Sequence, residues 1–67
     1  MTKYEIKEKY FGGMSSAISL DKVMMIDFIV RSKRGFKIKR GSKEYKNLIL
    51  EYSAKAESEI IEIYKNI

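Results

Sequence analysis

Tyr45, Ile49, Tyr52, Ala56, Ile60, Ile63 and Ile67 recur at spacings of 4, 3, 4, 4, 3 and 4 along the last third of the chain. A helix of 3.6 residues per turn brings residues so spaced to one side, and this stripe predicts an amphipathic helix as the largest element of the fold. Leu48 widens the stripe, and Lys, Glu and Ser fill the opposite side. Ser42, directly after Gly41, suits the N-cap because its hydroxyl can accept from an unpaired N–H of the first turn. The helix is therefore expected over 43–66, about 36 Å at 1.5 Å per residue.

Upstream, Thr2 and Glu5 have the spacing of a capping box. Ile6 and Tyr10, four apart, share a face, and Gly12-Gly13 can end a helix, so a short helix is expected over 3–11. Residues 12–19, GGMSSAIS, read as a loop, with a short strand over Ala17–Leu20 as an optional addition.

Residues 20–34 admit two readings. Ser19, Asp21 and the terminal RSKRG suit the two ends of a helix. Its apolar residues would then cover nearly every side, with Asp27 inside the apolar stripe. As a strand, Met24, Ile26, Phe28 and Val30 line one face at period two, and Asp27 points to solvent from the mixed face. RSKRG then becomes a hairpin loop with Gly35 at the position needing positive φ. Phe36 and Ile38 alternate with Lys37 and Lys39 on the partner strand. The strand reading is preferred. The expected fold is a single α+β domain over 1–67. It comprises a short N-terminal helix, a β-hairpin (a three-stranded antiparallel meander if Ala17–Leu20 joins it) and a long C-terminal helix. A sheet of this kind is roughly 20 Å long. The last helix would overhang it and leave Ile60, Ile61, Ile63, Tyr64 and Ile67 partly uncovered, which predicts self-association.

A 67-residue chain buries only about 60% of the surface it exposes when unfolded. With no Cys and no His, disulfides and the usual zinc, copper and haem ligands are absent, and no D-x-D-x-D-G calcium loop is present. No metal or cofactor is expected, and a homo-oligomer is the remaining route to extra burial. The longest nearly apolar run, Val23–Val30, contains Asp27 and is far too short to span a bilayer. The N-terminus lacks a basic-then-apolar leader, so a cytoplasmic protein is expected.

The net charge of +5 is unevenly placed. Residues 1–30 and 47–67 carry 0 and −2. Residues 31–46 carry +7, from Arg31, Lys33, Arg34, Lys37, Lys39, Arg40, Lys43 and Lys46 against Glu44 alone. These eight residues are the candidate nucleic-acid-binding set, with the three guanidinium groups suited to bidentate phosphate contact. They would lie on the hairpin and the first turn of the last helix, where unpaired N–H groups also favour phosphate. Lys43 and Lys46 oppose the helix dipole there, a small intrinsic cost consistent with a task for them.

Catalysis is poorly supplied. The commonest general base and the best nucleophile are both missing, and Ser15 and Ser16 lie outside any G-x-S-x-G pattern, so no enzyme is expected. FGGMSS lacks the spacing of a phosphate-binding loop. Tyr4, Tyr10, Phe28, Tyr45 and Tyr52 fall on apolar stripes and read as core, leaving Phe36 as the one aromatic placed to stack on a base. Contact with duplex backbone is expected rather than a single-strand stacking platform.

The helix–strand–strand–strand–helix order, ending in RGSKEYKN, resembles a double-stranded-RNA-binding domain, though without that family's characteristic central segments. The hairpin followed by KIKR and a helix resembles the wing of small phage or transposon excisionases, though without a recognition helix before it. Neither resemblance covers enough of the chain to assign a family. Two functions follow from charge placement. The first is a small accessory or regulatory protein, dimeric, gripping duplex phosphates. The alternative is a protein-interaction module, a phage- or plasmid-type inhibitor or assembly factor, docking on an acidic protein.

Overall fold

The structure, a computed structural model, describes residues 2–12 and 18–67. Its elements are α1 (Lys3–Tyr10), α2 (Leu20–Ser32), a 3₁₀ turn at Lys33–Phe36, α3 (Lys43–Ser53) and α4 (Glu57–Lys65). There is no strand among the described residues, so the expected α+β fold and its hairpin are replaced by an all-helical one. Both family resemblances, which rested on strands, lapse with it. Ala17, the start of the optional third strand, lies outside the described residues, and Ile18–Leu20 lead into α2.

α1 starts where the sequence placed it. The Glu5 N–H donates to Thr2 Oγ1 at 3.3 Å and the Thr2 N–H donates to Glu5 Oε1 at 3.2 Å, the reciprocal pair of a capping box. The turn of chain holds the Glu5 carboxyl below its ordinary pKa through the Thr2 backbone bond. The helix buries Ile6, and Phe11 just beyond it is 1% exposed. Tyr4 is exposed, against its expected place in the core.

α2 is the centre of the molecule and packs against α1, α3 and α4. Its apolar residues cover almost every side because it has neighbours on almost every side, which removes the objection to the helical reading. Ser19 caps it, with Oγ accepting from the Lys22 N–H at 3.1 Å. Val23, Ile26, Ile29 and Val30 are all buried. So is Asp27, which the strand reading had turned to solvent.

After α2 the chain passes through three successive left-handed residues, Arg34 (φ 56°), Gly35 (φ 64°) and Phe36 (φ 66°). Only the glycine adopts this geometry without a clash between Cβ and the next carbonyl. Phe36 and Ile38 still point opposite ways, Phe36 out and Ile38 into the core, but as an irregular segment with no strand beside it. Gly41 (φ 84°) lies so close to Tyr10 that a Cβ would come within 3.2 Å of its ring.

Ser42 caps α3, its Oγ accepting from the Tyr45 N–H at 3.1 Å. The expected single helix over 43–66 is two helices. The break is at Ala54–Ala56, where Ala56 is extended (φ −63°, ψ 150°). The Lys22 ammonium donates to the carbonyls of Lys55 (2.7 Å) and Ser53 (3.2 Å) at the end of α3. Glu57 and Glu59 stand in the first turn of α4, where they favour its positive end. The Ser19 hydroxyl donates to Glu57 Oε1 at 2.7 Å, tying the start of α4 to the start of α2. A straight helix of about 36 Å would exceed the molecule's longest extent of 28 Å. Folding back places Ile60 at 0% exposure in the core, with Ile63 packed against that core. The overhang that motivated self-association through Ile60 and Ile63 is therefore absent. Tyr64 and Ile67 remain exposed, and Ile61 is half-buried.

Candidate nucleic-acid interface

The eight cations of 31–46 divide into two groups. Arg31 and Arg40 turn inward. Arg31 Nε donates to Asp27 Oδ2 at 2.9 Å, and Arg40 donates from Nε to Oδ1 and from Nη2 to Oδ2, both at 3.0 Å. The Tyr45 hydroxyl completes the set with a 2.7 Å bond to Oδ1. Asp27 thus joins α2, the 37–42 segment and α3 at one point. Burial alone would raise the Asp27 carboxyl's pKa. The hydrogen bonds from Arg40 and Tyr45 and the charges of both arginines outweigh it and hold the group below its ordinary value. The same contacts act oppositely on their partners. Burial and the bond to Asp27 push the Tyr45 phenol far above its usual range, and the bond to Asp27 raises Arg40.

The second group faces outward. Arg34 is 72% exposed and pairs with Glu44 at 3.1 Å, which fixes the left-handed turn against the first turn of α3. Lys33 places its ammonium 5.5 Å above the Tyr52 ring. Lys37, Lys39, Lys43 and Lys46 are exposed, and among the described residues none has a carboxylate in ion-pair range. Lys37 and Lys39 do not stand in a row on a strand, as the hairpin required; they sit on the irregular segment leading to Ser42.

α3 supplies the most regular part of this surface. Its buried side carries Tyr45 and Ile49, and its opposite side carries Lys43, Lys46, Asn47 and Leu50, all exposed at spacings of 3, 1 and 3. Asn47 and Leu50 were not among the residues singled out from the sequence. The signal for them was present: they lie opposite the Tyr45–Ile49–Tyr52 stripe on the same helical wheel. The N-terminus of α3 lies beside Arg40 and Lys43, so its N–H groups add to the positive potential there. Among the described residues no helix is long and apolar enough to cross a membrane. The Phe36 ring turns to α2 and meets Phe28 edge-on at 5.6 Å.

No protein-family model, no curated protein and no solved structure matches this chain.

Proposed function

We propose that the chain is a small accessory or regulatory protein that grips the phosphate backbone of duplex nucleic acid through residues 37–46. The observation that carries this reading is the run Lys37, Lys39, Lys43 and Lys46, four exposed ammonium groups without carboxylate partners among the described residues and joined to the start of α3. Lysines placed against the positive end of a helix dipole are mildly unfavourable in the free protein, and phosphate reverses that sign. Arg40 supports the segment from behind by fixing it to Asp27 on α2. Its role in this reading is to hold the backbone that presents the lysines.

Four phosphate contacts predict a fall of log K with log salt of slope about −3.6. Fluorescence anisotropy of a labelled duplex across a salt series measures it. The double variant Lys37→Glu/Lys39→Glu should keep its helical circular dichroism, lose most of its affinity and flatten the slope by about half. Undiminished affinity in that variant, or binding indifferent to salt, would reject the proposal.

A further inference from the structure

Among the described residues, Tyr4, Met24, Phe36, Leu50, Tyr64 and Ile67 are the large apolar side chains left exposed. Three of them converge. The half-buried Phe28 ring meets Phe36 at 5.6 Å and Tyr64 at 5.5 Å, both edge-on, and Met24 lies one turn before Phe28 on the same side of α2. α4 runs alongside α2 in the same direction, since Glu57 is bonded to Ser19 at one end and Tyr64 touches Phe28 further on. The outer sides of the two helices therefore form one apolar groove, lined by Met24, Phe28, Ile61 and Tyr64 and closed at one end by Phe36.

We propose that a second copy of this chain fills the groove, with the two α2 helices antiparallel about a twofold axis passing between Met24 and Phe28. The occupant follows from charge. Asp21, Met24, Phe28 and Arg31 occupy a single stripe of α2 at spacings of 3, 4 and 3, acid at the start and guanidinium at the end. A twofold interface must be complementary to itself. Half a turn about an axis between Met24 and Phe28 sets Asp21 of each copy against Arg31 of the other, over an apolar centre. Both groups are available for this. The Asp21 side chain is 84% exposed, with only a 4.0 Å contact to Lys3. Arg31 commits Nε to Asp27, and its terminal nitrogens donate no hydrogen bond among the described residues. Phe36 points the same way. It is held left-handed, at a cost of about 1–2 kcal/mol, in a place where its ring lies on the surface rather than in the core. Strain of this sort is retained where the position serves a contact.

Sedimentation equilibrium of the full chain over a concentration series tests the interface directly, with no nucleic acid present. The wild type should interconvert reversibly between monomer and dimer. Phe36→Gly removes the ring and relieves the left-handed strain, so it should be monomeric with its helical signal intact. Asp21→Lys turns two symmetric attractions into repulsions and should raise the dissociation constant about tenfold. Because the chain has no cysteine, Met24→Cys introduces one thiol beside the axis. It should be trapped as a covalent dimer by a short bis-maleimide, while Leu50→Cys, on the outer side of α3, should not. A wild type that stays monomeric throughout would overturn the proposal and leave the groove to a different protein. A dimer that survives Phe36→Gly and is not trapped through Met24→Cys would overturn the assigned face. None of these variants alters Lys37, Lys39, Lys43 or Lys46, so the result stands apart from the outcome of the duplex-binding experiment.

Discussion

Replacing Asp27 with Asn should be among the most damaging isosteric changes this chain can suffer. The carboxylate is 2% exposed and accepts four hydrogen bonds, three from guanidinium nitrogens and one from a phenol. An amide of the same size can accept at one oxygen only, and its NH₂ would face donors. Two guanidinium groups would remain near each other, about one-third and one-quarter exposed, with no counter-charge. Removing one member of a buried ion pair costs about 3–5 kcal/mol. A 67-residue domain has only roughly 3–10 kcal/mol in total, at 0.05–0.15 kcal/mol per residue. Even the low figure should lower the thermal midpoint by roughly 12–24 °C. Tyr45→Phe keeps the ring in the core and removes one bond to a charged acceptor, so it should cost less, about 1.5–3 kcal/mol. Arg31→Gln breaks a single, partly solvated contact within one helix and should cost under about 1 kcal/mol. Urea titrations of the three variants by circular dichroism give the ranking. An Asp27→Asn chain within about 1 kcal/mol of wild type, or an Arg31 variant more damaging than Asp27→Asn, would refute the view of Asp27 as the point that fastens three segments together.

Ile60→Ala should destabilise by about 2–5 kcal/mol, the cost of a cavity at a fully buried site; a loss under about 1 kcal/mol with a changed oligomeric state would instead return Ile60 to a surface role. The network also fixes the pH limits of the fold. Asp27 titrates below its ordinary value in the folded state, so its stabilisation is complete above the unfolded carboxyl range, near 3.8, and is lost as pH falls through the lower folded value. Tyr45 titrates above its ordinary value, so its contribution is complete below about 10 and drains away as pH rises beyond that. Unfolding free energies measured from acid to alkali should form a plateau between those limits, and Tyr45→Phe should extend its alkaline side; a wild-type curve already sloping steeply at neutral pH would contradict this.

The parts of the fold legible in the sequence are those decided within one turn of helix. Thr2 with Glu5, Ser19 with Lys22, and Ser42 with Tyr45 each settle a helix start through contacts three residues long. Asp27 shows the opposite case. Its bond to Arg31, four residues on, has the local spacing of a helical i,i+4 pair and is legible in the sequence as a weak signal for a helix. Arg40 and Tyr45, which make burial of the carboxylate tolerable, lie 13 and 18 residues away, and no local pattern announces them. The charge excess of 31–46 was legible as a sum, but not its division into two arginines turned inward and six cations, Arg34 and five lysines, turned out. That division depends on where a single acid is buried. The aromatic groove was hidden for a related reason: Phe36 reaches Phe28 only through the left-handed turn after α2, and Tyr64 only after α4 has folded back.

The joint between α3 and α4 has one more consequence. Neither Gly nor Pro marks it, and the apolar stripe runs through it with a helical spacing of four on each side of Ala56. What meets the chain at the bend comes from other helices: the Lys22 ammonium at the carbonyls of Ser53 and Lys55, and the Ser19 hydroxyl at Glu57. The bend is thus a property of the assembled chain and not of the segment that bends. Residues 42–67 cut away from α2 lose the Lys22 and Ser19 bonds and the burial of Ile60 together, and keep only the local pattern, which favours continued winding.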